Sequence, residues 1–136
     1  MEAKDSIILT LPCKPGYVSV ARLTASGIAT RSGFDIDTVE DIKVAVSEVC
    51  NRIISLADTP DRQYEIRFNI YSDKLKVYFN SDIDNINCLF SEDDDGLGIA
   101  IINAFMDEVE YCPNGKNFVF SMTRNFEVIS SNELQS

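Results

Sequence analysis

The residues of this chain that could take part in chemistry lie at one predicted helical turn and at one glycine-containing turn. Glu48 and Arg52 are four residues apart, and on a helix this spacing places both side chains on one face. A guanidinium carries a positive charge and has no lone pair with which to ligate a metal ion. With the acid on the N-terminal side, the spacing favours an ion pair between the two. Gly96-Leu97-Gly98 could present backbone N–H groups to an anion where a helix begins.

Composition argues against a zinc site. The sequence has no histidine, and none of its four cysteines has the Cys-x-x-Cys spacing of a zinc ligand pair. Scattered cysteines such as Cys13, Cys50, Cys88 and Cys112 are expected to be buried thiols in a chain of this size, with disulfides as the alternative. The acidic run at 92–95 lacks the spacing of a calcium loop and is expected to be solvated surface.

Length and charge restrict the function classes further. The 136 residues suit one domain, which we expect over 1–126, with 127–136 as a loose C-terminal tail. The net charge of -10 would repel nucleic acids and anionic membranes, and it favours a partner protein with a basic surface. The apolar run Ile7 to Leu11 is too short for a signal peptide or a membrane span, which predicts a cytoplasmic location.

Hydrophobic periodicity predicts the elements that must position these residues. They are a strand over 6–11, a helix over 17–31, a helix from Asp37 to Leu56, a hairpin over 63–72 and 75–80, a short helix opening at 96, and a hairpin over 108–112 and 117–123. Asp37 and Glu40 have the spacing of an N-terminal capping box. Two helices followed by hairpins predict an α+β fold. We expect a two-layer sandwich in which three helices cover one face of a mixed, mostly antiparallel sheet of about five strands.

Three separated blocks of the sequence resemble one protein family. They are Tyr17 to Thr24 with Gly27-Ile28-Ala29, Glu40 to Cys50, and Gly96 to Ile99 running into Phe105 to Glu110. In this order they resemble the anti-sigma-B-type serine-protein kinases of the GHKL superfamily, which share the Bergerat fold of histidine-kinase-like ATPases. The resemblance extends from about Ser6 to Phe126. It implies a homodimer that binds a sigma factor and that uses ATP and Mg²⁺ to phosphorylate a serine of an anti-anti-sigma protein.

The resemblance also implies where the ATP site lies, and several positions depart from the family pattern. The six implied positions are Glu48, Arg52, Ser81, Ile83, Gly96 and Gly98. Glu48 matches the general base, and the two glycines match the phosphate turn. Arg52 replaces an asparagine that holds Mg²⁺, while Ser81 and Ile83 replace the aspartate and glycine of an adenine-binding Asp-x-Gly motif. The segment over 85–95, at the position of the family's lid, is short for that family.

These departures predict a protein-binding switch with little or no kinase activity and no bound cofactor. Arg22 corresponds to a first-helix arginine that the resemblance implies is on the partner-binding surface. Two alternatives remain open. One is an active serine kinase whose site has been rebuilt by a shift of Asn51 or Asp82, and the other is a non-enzymatic dimerisation or scaffold module.

Overall fold

A computed structural model describes residues 2–83, 88–90, 96–110 and 117–126 of the chain. In chain order the elements are β1 (Asp5–Pro12), a 3₁₀ turn (Pro15–Tyr17), α1 (Val18–Ser32), α2 (Ile36–Leu56), β2 (Gln63–Ile70), β3 (Lys74–Ser81), α3 (Leu97–Phe105), β4 (Glu108–Glu110) and β5 (Phe120–Asn125). The described elements are therefore the predicted five strands and three α-helices. Their ends differ by a few residues from the sequence expectation.

The strands form one sheet in the order β1-β2-β3-β5-β4. All four pairings between the described strands are antiparallel, so the α+β sandwich is confirmed but the sheet is not mixed. The reason lies in the connection between β1 and β2. α1 and α2 follow one another as an antiparallel helix pair, which returns the chain to the end of the sheet where β1 finished. β2 must then run in the opposite direction to its neighbour β1.

The core lies between the helices and one face of the sheet. Alternate residues of the central hairpin are completely buried, as the period-two pattern predicts: Ile66, Phe68, Leu75, Val77 and Phe79. Ile70, at the end of β2, is half-buried. The facing stripe of α2 is buried as well, and it includes Ile42, Val46, Val49 and Ile53. Each such side chain stabilises the fold by about 1.5–3 kcal/mol. Among the described helices, none combines the length and apolarity that crossing a membrane would require.

Asp35, and not Asp37, caps the N-terminus of α2. Its carboxylate accepts a hydrogen bond from the backbone N–H of Thr38 at 2.8 Å. The predicted capping box of Asp37 and Glu40 is therefore wrong, and Glu40 instead pairs with Lys43 at 3.1 Å. The helix begins one residue before Asp37. This start puts Asp37 in the first turn, where its charge still interacts favourably with the helix dipole.

The cysteines divide into two kinds. Cys13 and Cys50 are buried free thiols, as predicted. Burial raises the pKa of Cys50 to about 12, so this thiol stays protonated at neutral pH. Cys88 is disulfide-bonded, so the prediction of a buried thiol is wrong at this position. Cys88 is also less buried than the other two. Cys112 lies outside the described residues.

Candidate functional site

α2 places Glu48 directly beside the start of α3. A Cβ atom at Gly98 would lie 3.4 Å from Oε2 of Glu48 and 3.3 Å from Cε1 of Phe90. Glycine therefore allows a close approach that a larger residue would crowd. Gly96, just before α3, has a φ of 82°, a conformation that other residues rarely adopt. The structure thus brings the carboxylate and the Gly-x-Gly turn, which are far apart in sequence, to one place.

Arg52 does not pair with Glu48. Its Nε donates a hydrogen bond of 2.7 Å to the backbone carbonyl of Leu89. Within the described part of the chain no ion pair joins Arg52 to Glu48, so the predicted i, i+4 pair is wrong. The energies of the two interactions explain why Arg52 bonds to Leu89 and not to Glu48. An exposed i, i+4 ion pair stabilises a helix by only about 0.2–0.5 kcal/mol. A hydrogen bond from a charged group to a partly buried acceptor contributes about 1.5–3 kcal/mol.

The acceptor of this bond belongs to a short segment, residues 88–90, that packs into the interior. Leu89 is completely buried, and Phe90 is 7% exposed. The ring of Phe90 packs edge-on against Phe120 of β5, with 5.4 Å between ring centroids, and its edge lies against Gly98. Segment 88–90 therefore fills the space between α2, the start of α3 and β5. The sequence analysis missed it, although Cys88-Leu89-Phe90 is the one apolar run within the polar stretch over 81–95.

The positions of the absent Asp-x-Gly motif are tied to the start of β2. The Ser81 hydroxyl donates to the carbonyl of Gln63 at 3.3 Å and accepts from the N–H of Ile83 at 3.1 Å. The Asp82 carboxylate accepts from the N–H of Gln63 at 3.0 Å. Asp82 is exposed and hydrogen-bonded to the first residue of β2, and Asn51 is exposed on α2.

Two of the positions implied for the nucleotide site hold residues whose chemistry differs from that of the family pattern. Where the resemblance requires an amide oxygen for the metal, Arg52 offers only N–H donors, of which Nε is directed at the carbonyl of Leu89. Where it requires a carboxylate for the adenine, Ser81 offers a neutral hydroxyl already engaged with the backbone. Within the ranges that the structure describes, no group of three or more acidic, cysteine or histidine side chains could hold a metal ion. Residues 85–87 and 91–95 lie outside those ranges, so the short lid and the solvated acidic run stay predictions.

Arg22, the residue predicted to contact a partner protein, lies on α1, whereas Glu48 and Arg52 lie on α2. Arg22 is exposed on α1, and the neighbouring Leu23 is 71% exposed. Tyr17, just before this helix, and Val20, in its first turn, are also partly exposed. Arginine and tyrosine are enriched in protein-binding surfaces.

Comparison with known proteins finds one matching domain family and relatives that share one name. Residues 11–122 match the histidine kinase-like ATPase domain. The chain is similar to the serine-protein kinase RsbW of Listeria innocua, with 33% identity over 94% of this chain and 93% of the relative. It is similar to the RsbW of Halalkalibacterium halodurans, with 33% identity over 88% and 83%. With the RsbW of Bacillus subtilis it shares 32% identity over 88% and 85%.

Proposed function

Because this chain belongs to the histidine kinase-like ATPase domain family, we propose that it is an anti-sigma factor-like regulator that binds a sigma factor, an anti-anti-sigma protein or both without using ATP. The observation that carries the ATP-independent part is the hydrogen bond between Arg52 and Leu89, at the place where the resemblance requires a metal-binding amide. The partners are those that the resemblance implies, and they would be met in the cytoplasm.

The energy needed to open the site supports this proposal. Admitting a nucleotide beside Glu48 would break the bond between Arg52 and Leu89 and withdraw Phe90 from its contacts with Gly98 and Phe120. The bond accounts for about 1.5–3 kcal/mol, and exposing a buried phenylalanine costs about as much again. A nucleotide that binds only the opened state would lose about two to four orders of magnitude in affinity. An intrinsic affinity in the micromolar range would then become too weak for use.

Partner binding is supported by the surface that remains accessible. Arg22 and Leu23 are exposed on α1 and are available for contact with a partner. The net charge of -10 would raise the local concentration of a partner with a basic surface. We expect the cognate sigma factor or anti-anti-sigma protein to bind without nucleotide, and Mg-ATP to leave the affinity unchanged.

Titration calorimetry with purified sigma factors and anti-anti-sigma proteins of the source organism tests the proposal. Arg22→Glu should weaken binding. Arg67→Glu, which makes the same change on the sheet face away from the helices, is the matched control and should not. An absence of binding heat with both kinds of partner would favour the alternative of a non-enzymatic dimerisation or scaffold module. Partner binding that requires Mg-ATP would contradict the ATP-independent mechanism.

The active serine kinase is kept as a second candidate because Glu48 still faces an intact Gly-x-Gly turn. It predicts transfer of phosphate to a partner serine, which phosphate-affinity gel electrophoresis would detect, and loss of the transfer in Glu48→Ala. We expect no transfer from the wild-type chain to a partner that it demonstrably binds. A phosphorylated partner, absent with Glu48→Ala, would establish the kinase instead.

A homodimer is part of the same proposal, and the free edge of the sheet supports it. β1 has no neighbour on its outer side among the described strands, and Ile7 and Ile8 are 40% and 52% exposed. Two such edges can pair about a two-fold axis, which would satisfy their backbone groups. Ile8→Lys should convert a dimer into a monomer in analytical ultracentrifugation, while Asn80→Lys on an interior strand should not. A wild-type chain that is monomeric at high concentration would rule the dimer out.

A further inference from the structure

A cleft at one end of the sheet brings together side chains from three elements. Its volume is about 400 Å³, and it lies where β1 begins, α1 ends and the chain turns from β2 into β3. Lys4 lines it just before β1, Arg31 in the last turn of α1, and Tyr71 just after β2. The lining includes no residue of the site beside Glu48 and none of the exposed residues around Arg22.

The two basic side chains of the cleft are available to a ligand. Among the residues that the structure describes, no carboxylate forms an ion pair with Lys4 or Arg31, although Asp5 is part of the same lining. Four other basic residues do pair with carboxylates, namely Lys43, Arg62, Arg67 and Arg124. In a chain with 22 acidic and 12 basic residues, a cleft with two unpaired cations attracts an anion that most of the surface would repel.

The end of α1 does not use the guanidinium of Arg31. The backbone N–H groups of Gly33 and Phe34 donate to carbonyls of the last turns at 3.1 and 3.2 Å, and the Ser32 hydroxyl donates to a third carbonyl at 2.7 Å. These terminal carbonyls are the groups that a basic side chain at a helix end would otherwise satisfy. The donors of Arg31 therefore remain for a ligand in the cleft.

The remainder of the cleft offers rings and an apolar side chain for contact. Ile70, Tyr71 and Phe126 belong to its lining. The ring of Phe126 is held by stacking on Phe34, with 4.2 Å between centroids, and Nζ of Lys74 lies 5.3 Å from the centroid of the Tyr71 ring. A volume of about 400 Å³ falls in the range of small-molecule sites, about 300–1,000 Å³. The cleft therefore has room for an organic body beside the charged group of an anion.

We propose that this cleft binds a small aromatic carboxylate. The carboxylate lies against Lys4 and Arg31, because a guanidinium binds a carboxylate through paired hydrogen bonds, and the ring packs against Tyr71 and Phe126. A monoanion suits the cleft better than a polyphosphate, because Asp5 and the net charge of -10 repel every additional negative charge. The inference goes beyond the proposed regulator function and does not rest on it.

Amide NMR of the whole isotope-labelled chain tests the proposal, with phenylacetate as the probe. We expect saturable shifts at the amides of residues 4–5, 31–32 and 70–72, which line the cleft. Phenylacetamide, which lacks the charge, and acetate, which lacks the ring, should each bind at least about tenfold more weakly. Arg31→Gln should weaken phenylacetate binding about tenfold, the equivalent of one charge-assisted hydrogen bond at a partly exposed site.

A matched variant separates the cleft from the rest of the surface. Lys14→Gln removes an exposed cation outside the cleft and should leave the affinity unchanged. Arg31 is exposed, so its replacement should leave the fold intact, and an unchanged spectrum away from the cleft would show this. The proposal is overturned if phenylacetate causes no saturable shift, if phenylacetamide or acetate binds as tightly, or if Arg31→Gln keeps the wild-type affinity.

Discussion

Arg52→Asn restores the residue type that the resemblance requires at the metal position, and we expect it to weaken the protein without creating a nucleotide site. The substitution removes the 2.7 Å bond from Nε to the carbonyl of Leu89. Such a bond from a charged donor contributes about 1.5–3 kcal/mol, and partial solvent exposure of Arg52 reduces this to about 1–2 kcal/mol. Phe90 remains packed against Gly98, so the space for a nucleotide stays filled.

Urea denaturation measures the change in the free energy of unfolding, and a thermal-shift assay with Mg-ATP measures binding in the same variant. Arg67→Asn is the control, because Arg67 is exposed and lies 3.8 Å from Glu65 in a surface pair. It should cost less than about 0.5 kcal/mol. The reasoning would be refuted if Arg52→Asn left the stability unchanged, or if Mg-ATP raised the melting temperature of that variant.

Three further predictions follow from the described contacts. Phe90→Ala should lower the free energy of unfolding by about 3 kcal/mol or more in urea, and a cost below about 1 kcal/mol would show that the ring is not part of the core. The hydrogen bond from Thr38 lowers the pKa of Asp35 below 3.8, so its stabilisation is present above pH 3.8 and is lost as the pH falls through the lowered value. The difference in melting temperature between wild type and Asp35→Ala should therefore shrink in acid, and a constant difference would contradict the cap. Burial raises the pKa of Cys50 to about 12, so its thiol should resist alkylation at pH 8 until urea is added, whereas rapid labelling of the native protein would show that it is accessible.

Much of the fold could be predicted from local pattern. The alternation of apolar residues over β2 and β3 located the central hairpin, and the three- and four-residue steps of α2 located its buried face. The end of α1 could be predicted in the same way. Gly33 follows the last residue of the helix and has a φ of 103°, a conformation that favours glycine. These features depend on neighbours within a few residues, so the sequence contains the information needed to find them.

The start of α2 and the contact of Arg52 depend on residues distant in sequence. Asp35 and Asp37 are equally suited by residue type to cap a helix, so residue type alone does not decide between them. The chain just before Asp35 is held by stacking of Phe34 on Phe126, which is 92 residues away. The acceptor for Arg52 is 37 residues away. Local rules predicted the nearer Glu48, and they could not reveal that the apolar segment 88–90 turns into the core to offer a carbonyl.

Titration calorimetry of Mg-ATP into the purified wild-type chain tests the central claim most directly. The account predicts no binding heat at micromolar to submillimolar nucleotide, because segment 88–90 fills the region beside Glu48 and Arg52 donates to Leu89 instead of leaving room for a metal ligand. A one-to-one isotherm with micromolar affinity would contradict it and would favour an active kinase.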